Sequence, residues 1–243
     1  MMRTPPGEIR GILFDKDGTL ILYDESWCPV NREAARIAAA GHQHLEPDLL
    51  IAAGMDPVSG HTRADSLLAA GNAAEIAAGF VAAGSPLPAA ELTALLDALF
   101  VQATEYAVPV TDLRSLFSRL KARGLRLGIA SSDNELSIRT TAQRFEIESD
   151  VDFIAGYDSG FGSKPEPGMV LGFCKATGIE PCCVAVVGDS SHDLIMAASA
   201  GAGLKIGVLT GTGTRESLEP HADFCLDSIG SIEALLLQPA TGA

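Results

Sequence analysis

Two aspartates two residues apart, Asp15 and Asp17, follow the apolar run Gly11-Ile12-Leu13-Phe14 and precede Gly18-Thr19. On an extended segment, side chains at i and i+2 point to the same side, so this pair presents two carboxylates to one place. Gly18 permits a tight turn, whose successive backbone N–H groups can cradle an anion. Neighbouring acids repel each other unless a cation lies between them, and a hard divalent ion, with magnesium the first choice, satisfies them most simply. A second acidic pair, Asp189 and Asp193, closes the run Gly188-Asp189-Ser190-Ser191-His192-Asp193, a spacing that lets both acids face one crevice. Between the pairs stand Ser131 and Lys164, a hydroxyl and an ammonium of the kind that holds the remaining oxygens of a tetrahedral dianion.

Each of these groups sits where a strand should end. Short β-branched runs occur at Ile9 to Asp15, Leu125 to Ser131, Val151 to Tyr157, Cys182 to Asp189 and Lys205 to Thr210. Helical patterns separate most of them, clearest at Thr111 to Arg123 and Glu135 to Phe145. That alternation predicts an α/β fold, doubly wound and mostly parallel, whose ligand crevice borders the carboxyl ends of the strands. Residues 21 to 104 break the pattern: they hold no convincing strand, are rich in alanine, and show helical spacing at Asn31 to Ala40, Ala64 to Ala70 and Leu92 to Thr104. We therefore expect a core of residues 1–20 and 107–243 with an inserted helical cap over 21–106, hinged near Tyr23 to Pro29 and Ala107 to Thr111. Pro239 to Ala243 should fray.

Composition narrows the partners. The 243 residues include 31 acids and 17 Lys plus Arg, a formal charge of −14, which has the wrong sign for nucleic acid or anionic lipid. The amino-terminal MMRTPPGEIR lacks the apolar run of a signal peptide, and the longest uncharged stretch, Ile76 to Ala90, is broken by Gly79, Gly84, Pro86 and Pro88. A cytoplasmic protein without membrane contact, monomeric or homodimeric, is expected. The five cysteines show no CxxC pair and should be reduced, with Cys182 and Cys183 buried in an apolar run. There is no GxSxG elbow and no GxGxxG after a strand.

In their order along the chain, FDKDGTL, GIASS, SKPEP and VGDSSHD together resemble the four motifs of the haloacid dehalogenase superfamily. The resemblance covers roughly residues 8 to 20 and 107 to 237, and GVLTGTGTRESL and ADFCLDS look like phosphoglycolate phosphatase and its relatives. It implies a Rossmann-like core and a magnesium-dependent phosphatase acting on a small phosphorylated metabolite, of phosphoglycolate or sugar-phosphate type, through a phospho-aspartate. By the same resemblance Asp15 is the nucleophile and Asp17 the general acid and base, while Ser131, Ser132 and Lys164 hold the phosphoryl group. Magnesium would be held by Asp15, Asp17 through its backbone carbonyl, and Asp189, with Asp193 supporting the metal and Lys164 from behind.

Within the superfamily, Asp17 separates this chain from dehalogenases, which lack the second acid, and from P-type ATPases, which have Thr there. Phosphonate-cleaving relatives use a cap lysine, and none of the five lysines, Lys16, Lys121, Lys164, Lys175 and Lys205, lies within 21–104. A phosphomutase resembling the β-phosphoglucomutases remains an alternative, but it calls for several cap cations. The cap has only Arg32, Arg36 and Arg63 against ten acids. A non-catalytic binding protein on the same scaffold is the alternative of another class. In the cap, Arg63 in Gly60-His61-Thr62-Arg63 is a candidate for contact with substrate, and Trp27 either lines the entrance or packs at the hinge. Lys16 is read as a structural or rim lysine.

Overall fold

In the computed structural model, which describes residues 8–236, the first strand, β1 (Gly11–Phe14), lies at the centre of a six-stranded, wholly parallel sheet. The others are β2 (Arg126–Ala130), β3 (Phe153–Ala155), β4 (Val184–Gly188), β5 (Leu204–Val208) and β6 (Phe224–Leu226), in the spatial order β3-β2-β1-β4-β5-β6. Alternate residues of β1 face opposite sides. Ile12 and Phe14 enter one apolar cluster with Leu116 and Phe117, while Leu13 enters another with Val170 and Phe173. Helices therefore cover both faces, α6 (Leu113–Ala122) on the first and α8 (Gly168–Thr177) on the second, as a doubly wound α/β sheet requires.

Between β1 and α6 the chain builds five helices, α1 (Tyr23–Ala38), α2 (Glu46–Ala53), α3 (Leu67–Ala70), α4 (Ala73–Ala82) and α5 (Ala89–Ala103). They close around their own apolar cluster, which includes Trp27, Leu49, Phe80, Leu96 and Phe100. The two chain segments joining this insertion to the sheet run side by side: Leu22 N–H donates to the Val108 carbonyl at 2.8 Å, and Ile21 bridges Pro109 in antiparallel fashion.

Some expectations shift in detail. The segment Tyr23 to Pro29, read as a hinge, forms the first turns of α1 with Pro29 inside the helix. Helical structure within Ala64 to Ala70 is confined to Leu67–Ala70, whereas α2 and α4 had no counterpart in the reading. Pro181–Cys183 forms a 3₁₀ turn ahead of β4, so Cys182 is exposed and Cys183 half-buried rather than enclosed. All five cysteines are free thiols. Among the described residues no helix is long and apolar enough to cross a membrane. The expected fraying at Pro239 to Ala243 lies outside the described residues.

Candidate active site

Because β1 pairs with β2 on one side and β4 on the other, Asp15, Ser131 and Asp189 leave the sheet side by side. Asp15 N–H still bonds the Val187 carbonyl at 2.8 Å, which fixes the direction in which its side chain departs. Lys164 arrives from the loop before α8 and donates to Asp15 Oδ1 and Asp193 Oδ1, both at 2.6 Å. Asp193 is itself anchored at the start of α9 (Ser191–Ala200), where its Oδ2 accepts from Ser190 N–H and Oγ–H in a capping box. Asp189 Oδ2 accepts from Thr212 N–H at 2.8 Å. The loop carrying Thr212 can approach this closely because Gly211 has no side chain: a Cβ there would lie 1.8 Å from Asp189 Oδ2. Gly18 has φ +80°, and a Cβ on it would meet Asp189 Cγ at 2.6 Å.

Carboxylate oxygens of Asp15, Asp189 and Asp193 lie within 4.8 Å of one another, all three residues buried. Burial raises the Asp15 pKa to about 7 against the opposing pull of Lys164. Burial, and then the charges of Asp15 and Asp193, push Asp189 well above the ordinary carboxylate range. For Lys164, burial disfavours the ammonium, but Asp15 and Asp193 outweigh it and raise its pKa. Asp15 Oδ2 is buried without any hydrogen-bond partner among the described residues. An orphaned carboxylate oxygen beside two more buried acids is the donor set of a hard divalent cation, so the residues fit magnesium.

Asp17 is held differently. Its Oδ1 accepts from Trp27 Nε1–H at 2.7 Å and from Lys16 Nζ at 2.9 Å, and Oδ2 faces Ser131 Oγ at 3.4 Å. Burial raises its pKa, and the bonds from Lys16 and Trp27 oppose that rise. Lys16 is not a rim residue: it is 2 % exposed and bridges Asp17 and Asp133, each at 2.9 Å. Its ammonium also lies 5.4 Å from the Trp27 ring centroid. Asp133 escaped the sequence reading, although its place two residues after Ser131 and just before the helix cap Asn134 of α7 (Glu135–Arg144) marks a strand exit. Ser131 Oγ accepts from Asp133 N–H at 3.1 Å, which orients the hydroxyl.

Asp15, Asp17, Ser131, Asp133, Lys164, Asp189 and Asp193 form the floor of a cavity of about 40 Å³ that Ser132 also lines. Its roof comes from the insertion: Tyr23, Trp27 and Asn31 of α1, the Leu68–Gly71 segment, Ile76 and Phe100. Trp27 therefore both lines the cavity and packs, its ring meeting Phe100 edge-on at 5.0 Å. Arg63 is not brought to this cavity. It is exposed and lines an outer depression with Ile51, Asp56 and His61.

A doubly wound parallel sheet, an insertion roofing its central strand exits, and acids from three separate loops beneath define a capped α/β protein of the hydrolase type. The chain belongs to the haloacid dehalogenase-like hydrolase family, whose family model matches residues 9–201. Over 122 residues it is 34% identical to the probable phosphatase IndB of Dickeya dadantii (strain 3937), covering 48% of this chain and 53% of that protein. The match thus spans about half the length of that curated relative. Among solved structures, a predicted phosphoglycolate phosphatase from Haemophilus somnus 129pt superposes with a TM-score of 0.72 at 18% identity, over 94% of this chain and 98% of that one. CbbY from Rhodobacter sphaeroides, crystallised in complex with phosphate, gives 0.68 at 23% identity, over 92% and 96%. The identities to both structures speak to the fold alone.

Proposed function

We propose that this chain is a magnesium-dependent phosphatase of the cytoplasm that hydrolyses a small phosphorylated metabolite through a phospho-aspartate, with residues 21–106 acting as its cap. The observation that carries the reading is the contrast between its two central acids. Asp15 has one oxygen on Lys164 and the other without a partner, whereas Asp17 is held by Trp27 and Lys16 beside the same cavity. The first arrangement suits a nucleophile and the second a proton carrier. The match to a probable phosphatase and the five free thiols are in keeping with this activity and setting.

In this reading a carboxylate oxygen of Asp15 attacks phosphorus while Asp17 gives its proton to the departing alkoxide oxygen, so the alcohol leaves neutral. Asp17, now ionised, takes a proton from water as that water attacks the phosphorus of the acyl phosphate, returning Asp15 and releasing phosphate. Lys164, Ser131 and the Ser132 N–H hold the phosphoryl oxygens throughout. Asp15, Asp189 and the Asp17 backbone carbonyl would hold magnesium, supported by Asp193. Bound there, it would neutralise charge on the transferring group. The roof excludes bulk water during the first step.

The test is a panel of phosphoglycolate, sugar phosphates and nucleotides incubated with the protein and magnesium, followed for released phosphate and for isomerised sugar. Phosphate release is the expected result. Interconversion of phosphosugar isomers without net release would replace this reading by the mutase, and no reaction with any member would favour a binding protein.

A further inference from the structure

We infer that the leaving group this site accepts is an uncharged alcohol bearing a hydroxyl, not a carboxylate and not a second phosphate. The inference rests on the phosphatase reading above and concerns the end of the substrate that faces the roof.

Every roof residue is uncharged: Tyr23, Trp27, Asn31, Leu68–Gly71, Ile76 and Phe100. The insertion does contain basic side chains, and the structure accounts for each elsewhere. Arg32 donates to the Pro57 carbonyl at 2.9 Å, Arg36 pairs with Glu33, and Arg63 lines the outer depression beside an exposed His61. His42 and His44 are exposed and lie against each other. Among the described residues, the one basic side chain lining the cavity is Lys164, which is already engaged by Asp15 and Asp193.

A second anionic group on the substrate would therefore be enclosed without a counter-ion, above a floor whose two ammonium groups, Lys16 and Lys164, are already paired with Asp17 and Asp133 and with Asp15 and Asp193. Burying an unpaired charge in such surroundings is strongly unfavourable, whereas a hydroxyl needs only a neutral partner. The roof supplies one. Tyr23 Oη–H donates to the Leu68 carbonyl at 2.7 Å and accepts from Asn31 Nδ2 at 3.3 Å. That bond turns the Asn31 amide nitrogen toward Tyr23, which leaves the amide oxygen of this cavity-lining residue as the acceptor for a substrate hydroxyl.

Phosphoglycolate and 2-hydroxyethyl phosphate differ at the end in question, a carboxylate against a CH₂OH, and p-nitrophenyl phosphate reports phosphatase activity independently. Using the full chain with magnesium, we expect kcat/KM for 2-hydroxyethyl phosphate to exceed that for phosphoglycolate by at least about tenfold. Ala70→Lys, which adds an ammonium to the roof, should narrow that ratio. Equal or reversed preference in the wild type, or a ratio unmoved in a folded Ala70→Lys protein, would overturn the inference while p-nitrophenyl phosphate turnover leaves the phosphatase reading standing. No release from any of the three would remove both.

Discussion

Trp27 Nε1–H donates to Asp17 Oδ1 at 2.7 Å, a bond that runs from the first helix of the insertion to the loop after the central strand. It couples the position of the roof to the orientation of the acid below it. Since Lys16 holds the same oxygen, Oδ2 is the one that the proposed reaction uses to exchange a proton beside Ser131.

Trp27→Phe keeps a ring against Phe100 and removes only the donor. A hydrogen bond to a carboxylate favours its ionised form, so losing it raises the Asp17 pKa further. In the proposed reaction ionised Asp17 activates water, and the acid limb of the kcat profile should therefore move to higher pH. We expect kcat to fall about tenfold with KM little changed. A pH–rate profile that superposes on the wild type would contradict this role.

Lys16 is the shared counter-ion of two buried carboxylates, Asp17 and Asp133. Lys16→Met leaves both unpaired, and breaking a buried pair costs about 3–5 kcal/mol. Urea unfolding should show a loss of that order, and adding Asp133→Asn should recover part of it by removing one orphaned charge. A variant as stable as the wild type would show that the bridge contributes nothing.

Without metal, folded Asp15 keeps its proton up to about pH 7, mainly because it is buried, while an unfolded aspartate releases it near 3.8. The folded state then binds more protons between those values, so the chelated protein should lose stability as pH rises from about 4 to 7 and hold the Asp15 contribution in full only below about 4. A divalent cation favours the ionised carboxylates and reverses this trend. Magnesium should accordingly raise Tm more at about pH 8 than at about pH 5, as scanning fluorimetry would reveal. An equal rise at both values would argue against a metal held by these carboxylates.

Much of the floor is visible in the sequence because strand exits concentrate it. Asp15, Ser131 and Asp189 each follow an apolar run that must stop, and a parallel sheet with β1 in the middle brings those stops together. Other parts leave a weaker trace. Pro29 disguises the start of α1, and α4 is apolar on nearly every side, so its period is hard to see. The three-residue β6 is too short to stand out from a loop. Lys16 alternates away from the acids along the strand, yet its long stem carries the ammonium back to Asp17 and across to Asp133. Tyr23 and Asn31 acquire their place only through the packing of α1 over the sheet, which local spacing does not encode.

A phosphoryl group carried by Asp15 can be caught by acid quenching during turnover of a labelled phosphate monoester in the presence of magnesium. We expect label that survives acid, is released by hydroxylamine as an acyl phosphate must be, maps to the peptide containing Asp15, and disappears in Asp15→Asn together with phosphate release. Label on any other residue, or undiminished turnover by Asp15→Asn, would contradict it.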